Sequence, residues 1–504
     1  MKLRFNPRFL PAMLIAAMSA MPITLASAPS RAQSLPSLGD TERQELSPLF
    51  ERRVGEQIMR SLRKDRDYLD DAPLLEFLNN FGATLLAATP EARGEANYDF
   101  FFFGVRDPAL NAFALPGGFI GVHSGLLLAA QNESELASVM AHEIGHVSQR
   151  HIARMLGKQK QDALIPLAAV ALAVLAAKSS PEASSALLVG GQGLAVQRRL
   201  NFSREAEREA DRVGLQILRE AKFDTSGMVS FFGRLQSASR GYTESVPAFL
   251  RSHPLTTERI ADIQSRTQDT RYKQRADGLD FHLIRARAKV LQDSSSQGLD
   301  EARVVFENQL QLRTAQQTAA GKYGLAMIAL RQGAYPQALS LLQESRTAAG
   351  ANAAASSLYA STTIEIRRAA RQDAEAIKDA DAARSQFPMS RGIARQYAEA
   401  LIAAGRHDEA IRYLRDQVQL YRQEARLQEL LAQSYAAQGK LALQHLALAE
   451  AHAIDGILPA ALEQLTIARA SPDASFYDQA MIDAREREVK AKWRDEQKEI
   501  KERR

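Results

Sequence analysis

Ala141-His142-Glu143-Ile144-Gly145-His146 is the stretch that decides how the rest of this chain is interpreted. On a helix, His142 and His146 are four residues apart, so both imidazoles project from one face toward a single ion. Glu143 is offset around the helix, where its carboxylate flanks the ion and can accept a proton from the attacking water. The spacing therefore predicts half of a zinc site with Glu143 as general base, a layout that suits hydrolysis of a peptide bond.

The residues around this stretch predict a buried helix. Asn132 followed by Glu135 is typical of an N-cap with a capping box. Apolar residues then recur at core-facing spacing, at Leu136, Val139, Met140, Ile144 and Val147. The residues beside the histidines, Ala141, Gly145 and Ser148, are small, which indicates that another element packs closely on the metal side.

A second predicted helix, within residues 201–214, offers the missing ligand. One of its faces carries two carboxylates between small residues, and another is charged. The first comprises Glu207, Ala210, Asp211 and Gly214, and the second Glu205, Glu209 and Arg212. We expect Glu207 to be the third ligand and Asp211 to accept a hydrogen bond from one of the histidines. The alternative, a solvated charged helix, fits the Glu205 face better.

Three further histidines are weaker candidates. His253 precedes Pro254, which favours an extended or turn conformation, and such a histidine is more often a surface or packing residue. His123 offers no clear pattern. His151 would lie well off the face of His142 and His146 on a continued helix, so we interpret it as structural.

The composition, 45% hydrophobic and 24% charged over 504 residues, is typical of a globular protein of two or more domains. Residues 1–32 have a basic start, an apolar middle and small residues at the end, which predicts a signal peptide cleaved on export; a retained anchor is the alternative. Removing Lys2, Arg4, Arg8 and Arg31 with it lowers the formal charge from +5 to +1, so we expect no nucleic acid partner. Because there is no cysteine, a metal must use histidine and carboxylate ligands.

The first half of the chain predicts helices followed by a small sheet. The pattern is helical from 41 to about 88, and 98–103 is typical of a buried strand. Residues 111–122 contain Pro-Gly-Gly between two short β-prone runs, which predicts a hairpin. Its second strand leads toward the metal-site helix; it either holds an extended peptide as an edge strand or simply closes the sheet.

Two apolar stretches, 163–177 and 186–195, follow the metal-site helix. Each is shorter than the roughly 20 residues needed to cross a bilayer. We interpret 163–195 as buried helices beside the site, in preference to helices that touch a membrane surface.

From 277 to 471 the sequence is rich in Ala, Leu and Gln and repeats itself. Gly439 follows Gly405 by 34 residues, the tetratricopeptide period. Residues 472–504 alternate in charge around Trp493, which predicts a solvated charged C-terminal helix. The expected fold class is α+β, mostly α: a helical zincin-type metallopeptidase domain with a small sheet over 33–270, then an α-solenoid of tetratricopeptide repeats over 277–471.

The stretch from His142 to His146, combined with Glu207 and Asp211, resembles the gluzincin peptidases of the CAAX-prenyl-protease and heat-shock membrane-protease family. The resemblance implies one zinc ion per chain, held by His142, His146 and Glu207, with Glu143 as general base and His253 able to approach the metal. Together with the signal peptide and repeats, it implies a periplasmic endopeptidase for misfolded or stalled outer-membrane proteins. The repeats would dock onto the β-barrel assembly machinery or its clients.

Two other functions remain open. The chain is a chaperone or adaptor if its repeats do the work while the metal site is gated or idle, although the intact metal-site pattern argues against this. A protease for prenylated peptides is disfavoured because full membrane-spanning segments are missing.

Overall fold

The computed structural model describes residues 47–157, 203–241, 248–267, 275–312 and 314–502. The predicted signal peptide (1–32) and the whole of 163–195 lie outside these ranges. The described chain opens with helices α1 (Pro48–Leu62) and α2 (Ala72–Ala88). Ser47 and Asp71 cap them, each side chain accepting a hydrogen bond from a backbone amide three residues on. The helical pattern predicted from 41 to 88 is thus two helices in its described part.

A three-stranded sheet follows, with strands β1 (Phe101–Val105), β2 (Ala112–Leu115) and β3 (Phe119–His123) in the order β1-β3-β2. β2 and β3 form the predicted hairpin, and Gly117 and Gly118 make its turn at φ values of 79° and 95° that favour glycine. β3 also pairs in parallel with β1. Of the two alternatives for the second hairpin strand, the edge-strand one is therefore excluded, because β1 covers it; within the described residues, β2 lies at an edge of the sheet.

The helix predicted around the metal-site stretch is α4 (Glu133–Ser148), and all 16 of its residues are buried. It contacts the sheet, α2 and the helices that follow. The other helices of this part are α3 (Ser124–Ala129), α5 (His151–Gly157), α6 (Arg204–Glu220), α7 (Ser226–Gly241), α8 (Ala248–Ser252) and α9 (Thr257–Thr267). A helix covered on every side holds its side chains in fixed rotamers, which suits a metal site.

Twelve helices follow in the described chain, each contacting the next. They are α10 (Leu279–Gln292), α11 (Ser296–Gln311), α12 (Ala315–Arg331), α13 (Tyr335–Ala349), α14 (Ser357–Ala369), α15 (Asp373–Gln386), α16 (Arg391–Ala403), α17 (His407–Leu420), α18 (Ala425–Ala437), α19 (Leu441–Ile454), α20 (Leu458–Ala470) and α21 (Phe476–Glu502). The predicted fold class is confirmed: the chain is mostly helical, with a small sheet followed by helical repeats.

The turns between paired helices explain the sequence repeat. Gly333, Gly405 and Gly439 each occupy the middle of a three-residue turn with a positive φ, between 69° and 74°. Arg371 occupies the same position, 34 residues before Gly405, with a φ of 58°. Because an arginine replaces the glycine there, the sequence pattern did not reveal this repeat.

The repeats contact the segment between α1 and α2. Arg287 of α10 is 1% exposed and binds Asp71 at 2.6 Å. Arg395 of α16 lies 2.7 Å from Asp70. Between α1, α2 and the repeats lies a cleft of about 520 Å³, lined by charged and polar residues and by apolar ones such as Phe100, Phe101 and Met389. The predicted boundary near residues 270–277 stays a prediction.

Residues 277 and 278, which lead into the repeats, are hydrogen-bonded to the N-terminal end of the metal-site helix. The Asp277 carboxylate accepts a hydrogen bond from the backbone amide of Glu133 at 2.8 Å. In return, the Glu133 carboxylate accepts one from the amide of Gly278 at 2.9 Å. The first residues of the repeats therefore fix the N-terminal end of α4.

The C-terminal helix α21 is charged, as predicted, but it is not solvated all round. Ile482 and Val489 are 0% and 2% exposed, and Glu486 between them is buried. These residues recur at helical spacing, and the helix contacts α19 and α20 along this side.

Among the described helices, none is both long enough and apolar enough to cross a membrane.

Candidate metal centre

The close packing predicted beside the histidines is present between α4 and α6. A Cβ atom added to Gly145 would lie 3.0 Å from the Cα and carbonyl oxygen of Ala210. One added to Gly214 would lie 3.2 Å from the backbone nitrogen of His142. The small residues thus let the two backbones approach, which places Glu207 beside both histidines.

Four side chains offer donor atoms that all lie within 4.8 Å of one another: His142, His146, Glu207 and His253. The Nε2 atoms of the first two are 3.0 Å apart. The Glu207 oxygens lie 3.5 Å from His142 Nε2 and 3.4 Å from His146 Nε2. All four side chains are at most 1% exposed. The structure therefore brings together the residues that the sequence proposed as ligands or as a nearby histidine.

His253 lies inside this cluster. It follows α8, where its backbone amide donates to the carbonyl of Phe249 at 2.8 Å and its ring stacks on the Phe249 ring. Its Nδ1 is 3.1 Å from Glu207 Oε1 and 3.4 Å from His142 Nε2. Its Nε2 is 3.5 Å from Glu143 Oε1. The ring can therefore meet either a bound metal or the neighbouring carboxylate.

Glu143 is fully buried beside the cluster but is not one of its four donors. Neither of its oxygens has a hydrogen-bond partner of standard geometry among the described residues. Burial raises the pKa of its carboxyl, while His253 and His142 oppose the rise. A carboxylate with an elevated pKa is suited to accepting a proton near neutral pH.

The two buried carboxylates of α6 in the site, Glu207 and Asp211, have lowered pKa values, which favours their ionised forms. Burial alone would raise the pKa of Glu207, but His253, His142 and His146 hold it well below its ordinary value. Asp211 lies 3.0 Å from His142 Nδ1, and its pKa is likewise lowered, against burial, by His142 and Arg259. A proton on Nδ1, the nitrogen that lies beside Asp211, would leave the Nε2 lone pair of His142 free to face the cluster.

Sequence reasoning missed Arg259 on α9. Its side chain is 2% exposed and makes a two-pronged contact with Asp211, at 2.7 and 2.8 Å. Its Nη1 lies 2.8 Å from Glu207 Oε2. One signal was available: two carboxylates on a buried helix face require a cationic partner. Nothing in the sequence marked this arginine as that partner.

His151 lies outside the donor cluster, but its contact with the cluster was also missed. α4 ends at Ser148, and Arg150 has a φ of 52°, so the chain turns back. His151 Nδ1 consequently lies 2.8 Å from His146 Nδ1. His123 lies apart, buried 3.3 Å from Asp107.

The donor set fits a divalent metal. Imidazole nitrogens and a carboxylate oxygen are the ligand types that catalytic zinc and related ions take in proteins. The ionised state of Glu207 and the Asp211 contact to His142 favour binding, because ligands must be deprotonated at the donor atom.

Comparisons with known proteins agree with this geometry. The model of peptidase family M48 matches residues 85–267. Mitochondrial metalloendopeptidase OMA1 of Schizosaccharomyces pombe is 35% identical over 160 residues, covering 32% of this chain and 44% of that protein. The putative beta-barrel assembly-enhancing protease of Vibrio cholerae is 40% identical over 253 residues, about half of each chain.

The similarity to a further relative extends through the helical repeats. The beta-barrel assembly-enhancing protease of Escherichia coli (strain K12) is 31% identical over 475 residues, which cover 94% of this chain and 94% of that protein. The matched span therefore includes both the metal centre and the repeats. Identity at that level, sustained over nearly the full length of both chains, means that the protein belongs to peptidase family M48 and is a metalloendopeptidase.

Proposed function

We propose that this protein is an exported, periplasmic zinc endopeptidase that degrades misfolded or stalled outer-membrane proteins, and that its repeats assist their assembly. The observation that carries the proposal is the buried cluster of His142, His146, Glu207 and His253 with Glu143 beside it. The near full-length similarity to a beta-barrel assembly-enhancing protease supports the choice of substrate class. Residues 1–32 would be the signal peptide removed on export.

His142, His146 and Glu207 would hold one zinc ion, and Asp211 would orient His142. A bound zinc ion supplies Lewis acidity, which polarises the scissile carbonyl and lowers the pKa of water toward about 7. Glu143 accepts the proton of the attacking water and passes it to the leaving amine. The burial that raises the pKa of Glu143 makes it a stronger base for the first half of this transfer.

The open edge of β2 is the proposed seat of the peptide. The amide of His123 donates to the carbonyl of Asn111, and hydrogen-bonded pairs alternate along an antiparallel ladder. Ala112 and Ala114 consequently direct their amides and carbonyls away from β3. The Ala114 amide lowers the pKa of Glu143, so the edge lies beside the base. An extended substrate added to β2 would bring a peptide bond to Glu143.

The repeats, which we assign as tetratricopeptide repeats, would bind clients or the β-barrel assembly machinery. The cleft between α1, α2 and the repeats, with its polar and apolar lining, offers a surface formed by both parts of the chain. Residues 163–195 lie outside the described residues, so the interpretation as buried helices and its alternative, contact with a membrane surface, both stay predictions. The alternative of a chaperone or adaptor with an idle metal site predicts that client binding survives loss of the metal.

The proposed ligand set is tested by metal content. Glu207→Ala should lower bound zinc far more than Glu205→Ala, because Glu207 is 1% exposed among the histidines whereas Glu205 is exposed on another face. Zinc per protein would be measured on both purified variants. Equal loss in the two variants would contradict the assignment. Glu209→Ala is not a matched control, since Glu209 contacts His151.

The role of His253 is tested by the sign of one effect. Its ring lies among the donors, where it could occupy the position that water and substrate need, so we propose that it gates the site. Gating predicts that His253→Ala raises basal proteolysis, self-cleavage included. The alternative, that His253 stabilises the transition state, predicts a fall. Cleavage rates of wild type and variant would be compared at equal zinc occupancy, and unchanged or lower activity would rule gating out.

A further inference from the structure

We propose that His151 and Glu209 are positioning residues that set which ring nitrogen of His146 faces the metal. The contacts run in a chain from Glu209 through His151 to His146. The inference rests on the proposed ligand role of His146 and adds two residues outside the donor cluster. It predicts that the metal centre depends on a second imidazole that never touches the metal.

The turn after α4 builds this chain. A continued helix would carry residue 151 well away from the face of His146. Instead Arg150 adopts a φ of 52°, a left-handed conformation that non-glycine residues rarely take. Its guanidinium binds Glu51 of α1, a residue only 4% exposed, with the Nε–Oε1 contact at 2.8 Å. This ion pair holds the turn and returns His151 to His146.

The proton positions follow from the donor and acceptor roles of each atom. Glu209 Oε2 lies 2.8 Å from Arg154 Nη2 and 3.1 Å from His151 Nε2. An ionised carboxylate only accepts, so His151 Nε2 must carry a proton. In the neutral ring, His151 Nδ1 is then an acceptor, and the His146 Nδ1 that lies 2.8 Å away must donate. His146 Nε2 is thereby left with its lone pair, directed at the cluster.

Burial holds the His151 ring in this position, since its side chain is 0% exposed. For His142, the ring is oriented without an intervening histidine, because Asp211 lies directly beside its Nδ1. The two histidine ligands are thus oriented by different partners.

The competing interpretation is that His151 is only a packed core histidine. The two interpretations differ in what His151→Phe changes, because phenylalanine fills similar space without ring nitrogens. Loss of an orienting partner weakens metal binding by about 10–100-fold. A packing role lowers the stability of the metal-free protein and leaves affinity unchanged. His151→Asn restores an acceptor near the position of Nδ1, so it should recover part of the affinity.

The experiment uses the full chain, stripped of metal and titrated with zinc against a competing chelator, with thermal unfolding of the metal-free protein measured in parallel. We expect a zinc Kd about 10–100-fold higher for His151→Phe, a smaller rise for His151→Asn and Glu209→Ala, and none for Glu205→Ala. A zinc Kd for His151→Phe within about twofold of wild type would overturn the relay.

Two further arms keep the result interpretable. If His151→Phe does not fold, Glu209→Ala decides the matter, because Glu209 is 30% exposed and its removal leaves the core intact. Wild-type affinity in that variant would then overturn the proposal. Glu207→Ala distinguishes failure of the metal site from failure of the positioning role. If Glu207→Ala also keeps zinc, the proposed metal site is wrong. If Glu207→Ala loses zinc while His151→Phe binds it normally, only the positioning role of His151 and Glu209 is wrong.

Discussion

Glu143→Gln is expected to lower peptide hydrolysis by on the order of 10²–10⁴-fold while bound zinc stays at the wild-type level. Glutamine matches the shape of glutamate but cannot accept the proton of the attacking water. Glu143 is not one of the four clustered donors, so the ligand set is unchanged. Stability should not fall, because burial already disfavours the ionised carboxylate at this position.

Cleavage of an unfolded outer-membrane protein and zinc content would be measured on the same preparations of wild type and Glu143→Gln. Glu205→Gln is the matched control, since it makes the same chemical change at an exposed position. Cleavage at the wild-type rate would refute the assigned role. The inactive variant also serves as a substrate trap. Proteins recovered bound to Glu143→Gln from the proposed periplasmic location would identify the substrates.

Arg259→Met should have the largest effect on stability. The substitution leaves the carboxylates of Asp211 and Glu207 buried without the cation that contacts both, at 2.7 and 2.8 Å. Removing one partner of a buried ion pair costs about 3–5 kcal/mol. Bound zinc supplies positive charge next to Glu207, so the loss should be smaller for the metal-loaded protein. Denaturant unfolding with and without zinc measures both quantities.

The same two helices provide the control. Arg208 of α6 and Glu258 of α9 form an ion pair at 2.7 Å, with side chains 42% and 69% exposed. Exposed pairs of this kind contribute about 0–1 kcal/mol, so Arg208→Met should be nearly neutral. If Arg259→Met costs no more than Arg208→Met, then the buried network around Asp211 is not needed for stability.

Local periodicity predicted much of the candidate site. His142 and His146 follow from helical spacing within one turn, and Glu207 and Asp211 were separated from Glu205 by the face they share. The hairpin was predicted because Pro-Gly-Gly sets a local turn. In each case the information lay within a few residues of sequence.

Features that depend on distant partners were not predicted. The pairing of β1 with β3 joins strands across an intervening one, so the hairpin pattern alone left open whether its second strand was an edge strand. The contact of His151 required a left-handed turn at Arg150, a residue type that gives no signal of it. Arg371 concealed a repeat for the same reason. The buried side of α21 depends on helices that precede it in the fold.

The hydrogen bonds that join Asp277 and Gly278 to Glu133 lie at the N-terminal end of α4. His142 lies nine residues farther along the same helix. At about 1.5 Å per residue, these hydrogen bonds lie roughly 14 Å from His142, a proposed ligand, so α4 could rotate about them. Metal–ligand distances tolerate deviations of only about 0.2 Å, and on an arm of that length about one degree of rotation reaches this limit. We therefore expect that a small tilt of Asp277 and Gly278 would misalign the proposed metal ligands and change the affinity for the metal.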